Sequence, residues 1–137
     1  MKVSHYMTDK LVVAHTGDGS RQVFFKMREL GIRHMPVVDD GGKLVGIISD
    51  RDLRRPDWVD EAIDISHVYR LDDDMTAGDL MTTNVMVVHT YDSLRKAAKL
   101  FTEHRYGALP VLNKEQELVG ILSPVDLLRA FQELVTE

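Results

Sequence analysis

The sequence predicts a mixed α/β (α+β) fold written twice, as two tandem β-α-β-β-α repeats packed with pseudo-two-fold symmetry. Three observations predict it. Displaced by 74 residues, the chain matches itself: Met7-Thr8 falls on Met81-Thr82, His15-Thr16 on His89-Thr90, Asp18 on Asp92, Pro36-Val37 on Pro110-Val111, Leu44-Val45-Gly46-Ile47 on Leu118-Val119-Gly120-Ile121, Ser49 on Ser123, and Asp52-Leu53 on Asp126-Leu127. One register holds without a gap from Met7 to Arg55, whereas chance matches scatter over many offsets. Within each copy, short apolar runs alternate with stretches of helical spacing. A unit of roughly fifty residues is marginal alone, so the two copies are expected to share a core.

The elements follow in order. The apolar runs 11–14 (LVVA) and 85–88 (VMVV) predict a strand in each copy. After Asp18, an N-cap candidate, Val23, Phe24, Met27 and Leu30 recur at helical spacing and Gly31 supplies a stop. Asp92 opens the second version, with Leu94, Ala97, Ala98 and Phe101. Met35 to Val38, the turn Asp39-Asp40-Gly41-Gly42, and Leu44 to Ile48 read as a tight β-hairpin. Its counterpart runs from Leu109 to Leu112 and from Leu118 to Leu122, and turns through residues 113–117 without a glycine. A last helix starts near Asp50 in one copy and runs from Pro124 to about Val135 in the other. The repeats are thus placed at 1–55 and 79–137. The connection at 56–78 carries Trp58, Val59, Ala62, Ile63, Ile65 and Val68 at partly helical spacing, and is expected to lie against the repeats as a seam cover.

Composition narrows the function classes. With 44% hydrophobic and 28% charged residues over 137, the chain has the makeup of a globular domain rather than a disordered one. No run of about 18 apolar residues and no apolar leader occurs, so no membrane partner is expected and a cytoplasmic location is the default. The absence of cysteine excludes disulfides, thiolate metal sites and cysteine nucleophiles. A net charge of −5 argues against nucleic acid as partner, because phosphate contacts need clustered Lys and Arg. An anionic ligand must therefore meet a local basic patch.

Both copies end a hydrophobic strand in the same signature: Gly46-Ile47-Ile48-Ser49-Asp50-Arg51-Asp52 and Gly120-Ile121-Leu122-Ser123-Pro124-Val125-Asp126. Two readings stand side by side. Ser followed three residues later by an acid is a capping box, and Pro124 fits the first helical position. The same turn offers unpaired N–H groups and a hydroxyl to a phosphate, while an Asp one turn in accepts two hydrogen bonds from a ribose diol. Basic residues gather in the first copy as Arg33, His34, Arg51, Arg54 and Arg55; the second has His104 and Arg105, but Pro124-Val125 in place of Asp50-Arg51. Arg51, Arg54 and Arg55 also read as the solvated face of a helix.

The doubled pattern resembles a CBS-domain pair, also called a Bateman module. Met-Thr opens each repeat, Arg33-His34-Met35-Pro36-Val37-Val38-Asp39 and Tyr106-Gly107-Ala108-Leu109-Pro110-Val111 stand in mid-repeat, and Gly-x-x-Ser-x-x-Asp closes it. The resemblance implies a non-catalytic regulatory, energy-sensing module that binds AMP, ADP or ATP in the cleft between its repeats and signals occupancy to a separate effector protein. It also implies a homodimer. Carried over, it puts Asp52 and Asp126 on ribose hydroxyls, and Ser49, Ser123, Arg33, His34 and Arg51 near ribose or phosphate. Adenine is placed among Thr8, Val13 and Met35, or Thr82, Val87, Gly107, Ala108 and Leu109. Two sites are possible. The alternatives are a ligand-independent dimerisation module, or another adenosyl ligand such as S-adenosylmethionine, NAD or a cyclic dinucleotide. No cofactor is required.

An enzyme is the rival class. The six histidines, at 5, 15, 34, 67, 89 and 104, lack the His-x-x-x-His spacing of a metal site, and neither Gly-x-Ser-x-Gly nor a P-loop occurs. His15 and His89 are repeat-related, which points first to a shared structural role. Asp72-Asp73-Asp74 reads as a solvated linker segment.

Overall fold

The computed structural model describes residues 1–54 and 75–135. In chain order the elements are α1 (Val3–Tyr6), β1 (Ala14–His15), α2 (Ser20–Leu30), β2 (His34–Val38), β3 (Leu44–Ser49), α3 (Asp50–Leu53), α4 (Ala77–Leu80), β4 (Val88–His89), α5 (Leu94–Glu103), β5 (Leu109–Leu112), β6 (Leu118–Leu122) and α6 (Pro124–Leu134). They form two compact units, one made of Val12–Asn84 and one of Met1–Leu11 together with Val85–Glu137. Trp58, Val59, Ala62, Ile63, Ile65, Val68, His67, Arg55 and the run Asp72 to Asp74 lie outside the described residues.

In the Val12–Asn84 unit, β1 runs parallel to β2, and β2 pairs antiparallel with β3, giving the order β1-β2-β3. One face of α2 delivers Val23, Phe24 and Met27 onto Met35, Val37 and Ile48 of the sheet, with Leu53 and Ala77 completing the core. Gly31 ends α2 in the left-handed region at φ 67°, the conformation its missing Cβ permits. The hairpin turn is held by Asp39, whose Oδ1 accepts the N–H groups of Gly41 and Lys43, both at 2.9 Å. From the start of the second sequence repeat, Thr82 then pairs with Ile47 on the edge of β3, at 2.8 and 3.0 Å.

The other unit has the same plan, in the order β4-β5-β6. Val88, Leu94, Ala97, Leu109, Val111, Leu122 and Ala130 are buried together, and Val3 of α1 joins them. Here Thr8 makes the edge pairing, with Ile121, at 2.8 and 3.0 Å. The side chain of Tyr6 donates to Glu133 Oε2 at 2.6 Å, tying α1 to α6. The glycine-free hairpin turn keeps the geometry of its twin: Asn113 Oδ1 accepts from Glu115 and Glu117, and Gln116 takes the positive φ, 64°, that Gly42 takes at 82°.

Two expectations are corrected, and two short helices are added. The strands expected over 11–14 and 85–88 contract to Ala14–His15 and Val88–His89, because only those residues pair with β2 and β5; Val12 packs against the core without joining a ladder. Asp18 and Asp92 are not N-caps. Each carboxylate accepts the N–H of the histidine three residues earlier, at 2.9 and 2.8 Å, so the helices begin later, capped at Gly19 and Ser93. Two short helices, α1 and α4, were not anticipated; at four residues each they show no periodicity, although they fall in the 74-residue register.

Asp92 is a titrating part of this frame. Burial raises its carboxyl pKa, but the His89 N–H and the Lys96 ammonium at 3.3 Å outweigh that and leave it below the usual carboxylate value. A carboxyl lowered in the folded state stabilises the protein above its unfolded pKa of about 3.9, and loses that contribution as pH falls through the folded value. Asp92→Asn is therefore expected to destabilise the protein at pH 7 and to match wild type closely near pH 2, read by urea unfolding at both.

Candidate functional site

Each unit ends its hairpin in the same turn. Ser49 closes β3 and opens α3: its Oγ accepts the Asp52 N–H at 3.0 Å while Asp52 Oδ2 accepts the Ser49 N–H at 2.9 Å. Ser123 and Asp126 repeat the arrangement at 3.4 and 2.8 Å, and Pro124 takes the first turn of α6. Both are reciprocal capping boxes, so this part of the reading holds in full. The capping spends one carboxylate oxygen of each Asp and leaves Oδ1 to other work. Asp52 Oδ1 accepts no hydrogen bond from the described residues, whereas Asp126 Oδ1 accepts from Arg129 at 3.2 Å. Arg129 escaped the sequence reading although an acid and an arginine three apart on one helix signal such a pair; its counterpart in the register is Arg55.

Around Asp52 the hairpin brings charged groups together. His34 stands opposite Ser49 in the β2–β3 ladder, and the backbone N–H of Asp50 donates to the Arg33 carbonyl at 2.9 Å. The His34 ring is half-buried. Desolvation draws its pKa below the ordinary imidazole value, Arg33 adds to that, and the carboxylates of Asp50 and Asp52 oppose it. Arg51 is exposed, and Arg54 is paired with Asp50 at 2.9 Å. Arg33 lines a hollow of about 400 Å³ with Phe24, Met27, Arg28, Gly31, Ile32, Asp50 and Arg54; Ser49, His34 and Asp52 do not line it.

The remaining predicted positions divide between the units. Val13, Met35 and Thr82 belong with Asp52; Thr8, Val87, Gly107, Ala108 and Leu109 belong with Asp126. Thr8, Thr82 and Gly107 are exposed, and Val13 and Val87 half-buried. Met35 and Leu109 are 0% exposed inside the two cores, so their side chains offer no open surface. Ala108 is nearly covered at 8%. Next to the Met-Thr segments sit the glycines of the signature: a Cβ on Gly46 would come within 3.0 Å of the Thr82 carbonyl oxygen, and one on Gly120 within 2.9 Å of that of Thr8.

Comparison with known proteins agrees with this doubled geometry. The family model described as CBS domain matches twice, over residues 3–57 and 77–133. The chain belongs to the CBS-domain family. A relative in Methanocaldococcus jannaschii, the protein MJ1225, is 30% identical over 132 residues, 94% of this chain and 46% of its own length. Another from the same organism, MJ0188, is 31% identical over 138 residues and likewise matched over 46% of its length, so the chain spans less than half of these curated relatives. Among solved CBS structures, CBSX2 in complex with AMP superposes with a TM-score of 0.80 at 31% identity, covering 97% of both chains. The acetoin utilization protein AcuB of Vibrio cholerae gives 0.77 at 30% identity, over 98% of this chain and 92% of its own. The mixed α/β fold of two three-stranded sheets is thus that of a CBS pair.

Proposed function

We propose that this CBS pair is a non-catalytic regulatory module that binds an adenine nucleotide and passes its occupancy to a separate protein. One observation carries the reading: the solved CBSX2 structure, alike over nearly the whole of both chains, holds AMP. Two features support it. Both Ser-x-x-Asp turns are formed, and each caps its helix through one carboxylate oxygen while the second stays outside the box. At Asp52 that second oxygen keeps acceptor capacity beyond the cap, which a ribose diol requires, whereas at Asp126 it is bonded to Arg129. Ligand that binds only the folded state raises its stability by mass action, by about 2.7 kcal/mol at a hundredfold excess over Kd. Thermal unfolding in millimolar AMP is therefore expected to shift upward. Asp52→Ala should fold, less stable by about 1 kcal/mol from the lost cap, and show a smaller shift. An unchanged melting temperature with every adenine compound tested is the result that sinks the reading.

A homodimer is the second part of the proposal, and α6 supplies its observation. Leu128, Phe131 and Leu134 are 60, 60 and 64% exposed along one face of that helix, beside an apolar hollow of about 470 Å³ bordered by Met1, Leu94, Ala98 and Leu127. A solvent-facing apolar stripe of this kind marks an association surface. Native mass spectrometry of the purified chain reports subunit number and copurified ligand in one measurement.

A further inference from the structure

We infer that Met7 and Met81 are a repeat-related pair of reversible oxidation sites, at which peroxide converts the thioether to a sulfoxide and loosens the edge pairing beside it. The chain has no cysteine, so its seven methionines hold all of its sulfur. They fall into three classes. Met1, Met75 and Met86 are 50, 37 and 38% exposed, so a sulfoxide there is hydrated as soon as it forms. Met27 and Met35, at 1 and 0%, are sealed in the core of the Val12–Asn84 unit, beyond the reach of a dissolved oxidant. Met7 and Met81 are half-buried: each packs against the core of its unit and keeps part of its surface open to water. These two positions combine access with a structural consequence.

Their sulfurs occupy matched places. Met81 Sδ lies over Gly46 and Met7 Sδ over Gly120, each filling the space that a Cβ on the glycine would need. The residue after each methionine makes the two-way edge pairing, Thr82 with Ile47 and Thr8 with Ile121. Each methionine also closes a short helix, its N–H donating to the carbonyl of Ala77 or Val3 at 2.9 Å. In the oxidation the sulfur lone pair attacks one oxygen of hydrogen peroxide and the O–O bond breaks. The proton left on the transferred oxygen passes to the departing hydroxide to give water. The new oxygen makes a flexible apolar side chain polar, and a polar group held against an apolar core without a partner is disfavoured. A sulfoxide at either position therefore turns to water, uncovers the glycine and removes the packing that backs the edge pairing. Methionine sulfoxide reductases, one for each sulfoxide epimer, restore the thioether.

Stepwise treatment of the folded chain with hydrogen peroxide, followed by peptide mass mapping, tests this. Met1, Met75 and Met86 are expected to gain oxygen first with the melting temperature unchanged. Met7 and Met81 should follow with a fall of about 4 °C, and Met27 and Met35 should react only as the chain unfolds. In the second stage, hydrogen exchange at the amides of Thr8, Ile47, Thr82 and Ile121 should quicken by about tenfold, and return to its starting rate after reductase treatment. The double variant Met7→Leu, Met81→Leu conserves side-chain volume; with its folding confirmed by circular dichroism, it should keep its melting temperature through that stage. Oxidation of Met7 and Met81 no faster than that of Met27 and Met35 overturns the inference. So does their oxidation with amide exchange unaltered or not restored by the reductases, or an equal loss of stability in the double variant.

Discussion

Truncating Leu109 to alanine is expected to destabilise the protein by about 2–5 kcal/mol, and Met35→Ala by a similar amount. Both side chains are 0% exposed, and they are the same position of the two repeats. Leu109 packs with Val88, Val111 and Leu122, and Met35 with Met27, Val37 and Ile48, in interiors formed by strand and helix together. Removing either leaves a void that the β-hairpin cannot close without breaking its ladder, so the cost includes a cavity as well as the lost transfer energy. Urea unfolding of each variant checks this. A change below about 1 kcal/mol would show that the site collapses around the smaller side chain. The family resemblance placed these two residues at an adenine pocket; in the structure their side chains are core.

The second large effect is expected at the signature glycines. Gly46→Ala and Gly120→Ala should each cost about 1–3 kcal/mol through overpacking. The added methyl group would press on a backbone carbonyl, at 3.0 Å from Thr82 and 2.9 Å from Thr8, and on the methionine beside each. Methionine can yield; the carbonyl cannot, because it belongs to the two-way pairing of Thr82 with Ile47 and of Thr8 with Ile121. Gly42→Ala is a useful contrast. It has open space around it, and its cost comes from the positive φ alone. Thermal unfolding of the three variants separates close approach from backbone strain.

Much of this was legible because the signals are local. Ser-x-x-Asp predicts a capping box from spacing, and both boxes form. Gly31 and the Asp39 to Gly42 turn announce themselves through residues that tolerate positive φ. The repeat register was legible because it holds over nearly fifty positions. Elsewhere local chemistry misled. Asp18 and Asp92 have the right type for an N-cap, but a nearby histidine N–H competed for the carboxylate and won. Strand length was overstated because apolar residues alone do not reveal where a hydrogen-bonding partner ends. The Arg129 bond to Asp126 is a side-chain choice among several that the helix allows, and composition does not rank them.

The exchange of opening segments has a practical consequence for anyone dividing the gene. Met1–Leu11 opens the first repeat in the polypeptide, yet it packs with Val85–Glu137, and Thr82 of the second repeat edges the first sheet. A cut placed at the midpoint would hand each product the other's bordering segment, leaving Ile47 and Ile121 with bare edges open to stray pairing. Excised halves should precipitate singly and recover when coexpressed.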